Sequence, residues 1–469
     1  MPGNSGTRIH PKARHGPIKF LVHTSTLAAT GDSRLCWQGS LVGITDVSMK
    51  KKLLVISHVW PFPGHSGQEM RVRNSLIALK KEFQITFLTV GSKKDSEDLR
   101  VQMNGYCDEL LCLPSRYNRN FATKVFYKAL AQIRSFANGL KPSNYLIGDL
   151  ELTPKRIERV LDGREFDCVL FEYWHAYKCT AFFERKGTPC ILDMHNILSE
   201  SNIAQRPKNP WILGKWQSKS QDNYRNAEEH AWGLFDGIIA INKLELRYVD
   251  ERLNGVKLFY VPMGIVLSDL KYCWNPSFDA PKIAYYGGLN SLHNAQSAMD
   301  CYHKIMPAIW KKFPNAELWI VGSNPPKSLR EIARNDERVV VTGFVNDLSS
   351  VMGKILAVVC PWQGKYGFRS RVIEVMALGV PVVTTSSAVY GMELTHEKGI
   401  LLSSDNDGLV HHLLRLMSDG AYSENQSNLA RFVADNQFSL EGTYGRFARD
   451  LSLWLDGRAH TQSMTVCAT

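Results

Sequence analysis

The 469-residue chain reads as an α/β protein built from two doubly wound domains, and three observations predict this. Short runs rich in Val, Ile and Leu alternate with segments of helical period along most of the chain. The alternation comes in two successive series, separated near 263–281 by a stretch of little periodicity. Parallel strands need crossover helices, so two such series argue for two mostly parallel sheets, each covered on both faces.

Composition bounds the function classes. With 44% hydrophobic and 22% charged residues the chain is globular, neither disordered nor collagen-like. No uncharged apolar run approaches the roughly 18 residues of a membrane span. Its ten cysteines include no C-x-x-C pair, which argues against a disulfide scaffold or a thiolate zinc site and fits a reducing cytoplasm. The net charge of +11 is uneven: residues 1–48 hold five basic and two acidic side chains, and 111–142 hold six basic and none acidic. The remainder is close to neutral, so the charge carries no argument for nucleic acid.

Taken in order, residues 1–48 mix Pro, Gly, Ser, Thr and basic side chains without a period and read as a disordered or misassigned extension, with Met49 the expected start. Over 49–262 the expected strands are 53–56, 85–90, 168–171, 190–193 and 237–241, with a helix over 70–81. A linker is expected over 263–281, where Pro276 and several aromatics break the pattern. Over 282–437 the expected strands are 282–286, 317–321, 339–342, 357–360 and 380–384, and the expected helices 295–313 and 370–378. A last helix within 438–457 carries Phe447, Leu451 and Trp454 at helical spacing.

Ligands of such sheets bind beyond the carboxyl ends of the strands, so candidate residues are those just after strands. Ser57-His-Val-Trp-Pro-Phe-Pro-Gly-His-Ser-Gly67 follows the first strand and opens a helix. Such a glycine loop offers N–H groups and a positive dipole end to an anion or a hydroxyl-rich ligand. It is not G-x-G-x-x-G, so NAD is not indicated. Glu172-Tyr-Trp-His175 and Asp193-Met-His195-Asn196 place titratable groups after later strands, without metal-ligand spacing. In the second half, Gly287-Gly-Leu-Asn-Ser-Leu-His-Asn294 and Gly343-Phe-Val-Asn-Asp347 each follow a strand.

The most specific run is Pro361-Trp-Gln-Gly-Lys-Tyr-Gly367-Phe-Arg369-Ser-Arg371-Val-Ile-Glu374. A glycine-rich loop here enters a helix with Gly367, Phe368, Arg369 and Arg371 at its start and Glu374 one turn deeper. Guanidinium groups beside helix N–H groups suit a diphosphate. The carboxylate suits the vicinal hydroxyls of a ribose.

These residues resemble the donor half of retaining GT-B glycosyltransferases of family four, also called group 1. The likeness spans about 53–455 and is carried by Gly287–Asn294, Ile320-Val-Gly322, Val341-Thr-Gly343, Asp347 and Gly367–Val383, with Gly67 and Arg71, Asp193-x-His195-Asn196, Asp236–Ile241 and Val261–Ile265 in the first half. It implies transfer of a sugar from a nucleotide-sugar donor to a glycan or lipid-linked acceptor, with retention, without a metal and without a cofactor. By the same resemblance Glu374 holds the ribose, His195 lines the acceptor-facing side of the donor sugar, and Gly67 lies beside the diphosphate. The last helix is implied to cross back onto the first domain. Three positions depart from the family pattern. Tyr366 stands where the first glutamate of E-x₇-E is usual, and Gly288 and Asn294 stand where the Arg and Lys of G-R-x₅-K are usual. Arg371, with Arg369, then supplies the charge, and the nucleotide-sugar site comprises Gly287, Gly288, Asn294, Gly367, Phe368, Arg369, Arg371 and Glu374, with His195, Gly67 and Arg371 as the catalytic set. The Tyr366 departure also fits a catalytically silent GT-B partner protein, and the fold a nucleotide-sugar epimerase.

Asp405-Asn-Asp407 follows a strand and mimics a metal-binding D-x-D, but Asp407 reads better as a helix N-cap. Between 112 and 141, Phe121, Val125, Leu130 and Ile133 interleave with Arg116, Arg119, Lys124, Lys128, Arg134 and Lys141. Such a helix either packs on its sheet with a solvated basic face or lies on an anionic leaflet, and the second reading would put a cytoplasmic protein peripherally on the inner face of the membrane.

Overall fold

The computed structural model describes residues 50–64, 66–91, 99–205, 214–362 and 368–467, with side chains described except over 202–218 and 460–467. The expected extension 1–48 and the candidate residues Tyr366 and Gly367 lie outside the described residues.

Apolar runs buried on both faces form the strands. Cys168–Glu172, Ala357–Cys360 and Val382–Thr385 are buried at every position, the pattern of a central parallel strand. The first sheet has seven strands: β1 (Lys51–Ile56), β2 (Phe83–Gly91), β3 (Glu109–Pro114), β4 (Cys168–Glu172), β5 (Cys190–Asp193), β6 (Gly237–Ala240) and β7 (Lys257–Tyr260). They run parallel in the order β3-β2-β1-β4-β5-β6-β7. The second sheet has six, β8 (Lys282–Tyr286), β9 (Glu317–Val321), β10 (Val339–Gly343), β11 (Ala357–Cys360), β12 (Val382–Thr385) and β13 (Ile400–Ser403). These are also parallel, in the order β10-β9-β8-β11-β12-β13. The strand order reverses between β1 and β4 in one sheet and between β8 and β11 in the other, and these are the points where ligands enter such folds.

Crossover helices seal the faces. In Gly67–Glu82, Val72, Leu76 and Leu79 pack on Phe83, Ile85 and Phe87. The same core takes Phe447, Leu451 and Leu455 of the final helix, Arg446–Cys467, so the chain returns from the second sheet to cover the first. The outgoing and returning segments are stitched together: Ile265 N donates to Phe438 O at 2.8 Å and Leu440 N to Ile265 O at 2.9 Å. Gly264 is required there, because a β-carbon would stand 2.0 Å from Thr443 Oγ1.

The structure departs from the sequence reading in three places. The helix expected over 295–313 is broken into Leu292–Asp300, a π turn at Cys301–Ile305 and Met306–Lys312. Pro307 lacks the N–H that an unbroken helix needs. The Asp405-Asn-Asp407 cap is Asp405, not Asp407: its carboxylate accepts from Gly408 N at 2.8 Å, and Asp407 sits in the first turn. The edge strands β3 and β7 were not expected from the sequence.

Candidate active site

Each sheet presents loops at its switch point, and the two sets line a common cleft of about 1040 Å³. The N-terminal half contributes Gly64, Ser66, Gly67, Glu69 and Met70. The C-terminal half contributes the expected Gly287, Gly288, Asn294, Phe368, Arg369, Arg371 and Glu374.

On the C-terminal side, close packing sets the loop positions. A β-carbon at Gly322 would come within 1.8 Å of Gly287 O, so the loops after β8 and β9 meet backbone to backbone. A β-carbon at Gly288 would stand 3.3 Å from Arg371 Nη2, so the missing side chain lets the guanidinium lie along this loop. Asn294 Nδ2 donates to Gly288 O at 2.9 Å and pins the turn. The helix Ser370–Ala377 follows Arg369 with no side-chain cap, and Ser370 and Arg371 of its first turn line the cleft. Arg369 lies 5.0 Å from the Trp362 ring centroid and Arg371 5.3 Å from that of Tyr286. Trp362 in turn donates to Tyr285 Oη at 2.8 Å.

Glu374 is buried one turn in, and Tyr286 Oη donates to its Oε2 at 3.0 Å. Burial pushes its carboxyl above the usual range, and the Arg371 charge opposes the rise. Tyr286 carries no motif signal in the sequence, since it reads as the last residue of an apolar strand. Phe344, within the quoted Gly343–Asp347 run, projects exposed from the end of β10 and lines the cleft.

On the N-terminal side, Ser66 caps the helix Gly67–Glu82 and forms a capping box with Glu69. Glu69 Oε2 accepts from both Gly64 N and Ser66 N at 3.1 Å. Those two amides of the glycine loop are therefore engaged by the protein's own carboxylate, which the sequence reading of an open N–H cradle did not foresee.

His195 is placed differently from the other candidates: it is not among the cleft-lining residues described, and it sits buried at the end of β5. Its Nε2 is 2.5 Å from Glu172 Oε2, and its ring stacks on Tyr173 with centroids 4.0 Å apart and planes at 12°. The β4–β5 register sets Glu172 beside Asp193. Arg71, buried to 1% exposure, donates through Nε to both Asp193 oxygens at 2.9 and 2.8 Å and through Nη1 to Val261 O at 3.0 Å. Tyr444, just before the returning helix, lies within 3.5 Å of Arg71 Nη1. Burial first, and Asp193 next, push the Glu172 carboxyl up. Burial, helped by His195, pushes the neighbouring His58 down to about 4, and burial holds His175 well below its usual value. Glu172, Asp193 and His195 are close enough to gather around a cation. Arg71 engages both oxygens of Asp193, and His195 engages one oxygen of Glu172, whose Oε1 is buried without a hydrogen-bond partner among the described residues.

Residues 280–419 match the family model described as glycosyl transferases group 1. No curated protein sequence matches the chain. Among solved structures, sucrose-phosphate synthase from Thermosynechococcus elongatus aligns with 89% of this chain and 100% of its own at TM-score 0.61 and 15% identity. HepE from Anabaena, in complex with UDP and glucose, aligns with 86% of this chain and 99% of its own at TM-score 0.56 and 14% identity. WaaG, a glycosyltransferase involved in lipopolysaccharide biosynthesis, aligns with 84% of this chain and 98% of its own at TM-score 0.52 and 15% identity. Residues 280–419 thus carry the glycosyl transferases group 1 pattern, on a chain that shares the two-sheet GT-B fold over 84 to 89% of its length.

Proposed function

We propose that the protein transfers a sugar from a nucleotide-sugar donor to a glycan or lipid-linked acceptor, with retention of configuration. The observation that carries this is the single cleft lined by the Gly64–Met70 loop on one side and by Arg369, Arg371 and Glu374 on the other. The donor diphosphate lies at the start of the helix Ser370–Ala377 against Arg371 and Arg369. The ribose reaches Glu374, and Phe344 offers a flat ring to the base. As the bond from the anomeric carbon to the diphosphate breaks, the charge gathering on the leaving group meets these preorganised cations and helix N–H groups without a metal being required of the site. The acceptor oxygen bonds to the anomeric carbon, and its proton passes to the departing diphosphate.

The helix Phe121–Asn138 supports a lipid-side acceptor. Phe121 is 82% exposed and Ile133 67%, and Val125, Phe126 and Phe136 are exposed beside them. Lys124 and Lys128 make no ion pair among the described residues. An exposed apolar stripe of Phe121, Val125 and Ile133, beside lysines that make no ion pair among the described residues, suits an anionic leaflet. No helix among the described residues is long and apolar enough to cross a membrane.

The test is turnover against a panel of nucleotide sugars, beginning with UDP-glucose because HepE has been crystallised with it. Release of nucleoside diphosphate with at least one donor is expected. Binding of nucleotide sugar without release from any donor would favour the silent partner reading.

A further inference from the structure

The surroundings of His195 are more elaborate than a strand end requires, and they fix the ring at three points. Asp193 Oδ1 accepts from the His195 backbone N–H at 3.2 Å, Tyr173 stacks flat on the imidazole, and Glu172 meets Nε2 at 2.5 Å. The backbone is held in an uncommon conformation on both sides of the contact: φ is +68° at Tyr173 and +59° at His195. For residues with a β-carbon the left-handed region is disfavoured and persists where surrounding structure enforces it. Here the enforcement is visible. Tyr173 N donates to Asp193 O at 2.9 Å, and Asp193 is clamped by Arg71. Nδ1 of His195, in contrast, has no hydrogen-bond partner among the described residues.

A neutral imidazole has one N–H and one lone pair, and the group bonded to one nitrogen decides which nitrogen carries the proton. A carboxylate at Nε2 calls for a proton there and leaves Nδ1 as an acceptor. We propose that Glu172, with Tyr173, is a positioning residue: it holds His195 as the Nε2–H form, so that Nδ1 presents a lone pair to a hydroxyl group of the sugar. Glu172 touches no substrate itself and acts through the imidazole. This rests on the glycosyl-transfer reading for what meets Nδ1, but the tautomer is a property of the protein alone.

The experiment is ¹⁵N NMR of the full-length, histidine-labelled protein near pH 8, with the His195 signals identified as those lost in His195→Gln. The expected result is a protonated Nε2 and an unprotonated Nδ1. In Glu172→Gln the amide can donate to Nε2, and the proton is expected to move to Nδ1. With an active donor, this variant is expected to lose at least about tenfold in kcat, as carboxylate-to-amide changes beside a histidine do, with KM for the donor changed less than threefold. Glu172→Asp, which keeps the charge, is expected to retain the wild-type tautomer and part of kcat. A wild-type ring protonated at Nδ1, or the same tautomer in Glu172→Gln, would overturn the assignment. So would an unchanged kcat in a Glu172→Gln protein whose tautomer has switched. If the tautomer is as stated but no donor turns over, the positioning assignment stands and the transferase reading falls.

Discussion

Glu374 shows how much of a candidate binding residue is legible in a chain and how much is not. Its spacing from Arg371 and its place after a glycine-rich loop are sequence facts. That it is buried against Tyr286 Oη, 88 residues away in the chain, is a tertiary one. The same contrast holds at the glycine loop. Gly67 and the helix it opens could be read directly, but the return of the Glu69 carboxylate to Gly64 N and Ser66 N depends on the turn geometry. Arg71 is the extreme case: an arginine in an amphipathic helix ordinarily reads as a solvated side chain, and only the fold brings Asp193, Val261 and Tyr444 around it. Glu374→Ala is expected to weaken nucleoside monophosphate binding by about tenfold, the worth of one or two hydrogen bonds to a charged group. Isothermal titration with nucleoside monophosphates checks it, and unchanged affinity would remove the ribose assignment.

Among the elements, strands buried on both faces were read nearly to the residue. Those at 190–193, 282–286, 317–321 and 357–360 coincide with the observed bounds. The two that were missed, β3 and β7, are the outer strands of the first sheet, and both are mostly half-exposed. An edge strand is covered on fewer sides, so its sequence need not be continuously apolar and the period signal weakens. The helix Phe121–Asn138 is the opposite case: its composition announced an amphipathic element, and Phe121, Val125, Phe126 and Ile133 on it are exposed, with Ala131 its one buried side chain. It is expected to bind vesicles containing anionic lipid and not purely zwitterionic ones, with binding falling as salt rises. Replacing Phe121 and Ile133 together by Ser is expected to reduce co-sedimentation at least about tenfold while leaving the thermal unfolding midpoint nearly unchanged, since neither side chain is in the core. Equal sedimentation of wild type and variant would contradict the membrane-facing role.

For the whole molecule, two parallel sheets carry their switch points to one cleft, and the chain crosses between them twice, out through 261–266 and back through 438–444. The crossing segments are bonded to each other at Ile265 and Leu440, and the returning side also meets Arg71 through Tyr444. Arg71, on the helix that opens at Gly67, is therefore in contact with Asp193 beside the His195 turn and with both crossings. The large-scale plan of two parallel sheets was legible because the strands and helices alternate in two successive series. The meeting of the two loop sets was not, because no local pattern encodes the relative placement of two sheets. The central claim is that this cleft binds a nucleotide diphosphate through Arg371. Isothermal titration of UDP and other nucleoside diphosphates into wild type and Arg371→Ala tests it most directly. The account expects one site in the wild type and a loss of roughly 10- to 100-fold in the variant, the range for a charge-assisted contact. Equal affinity in the two proteins, or no nucleoside diphosphate bound by the wild type, would contradict it.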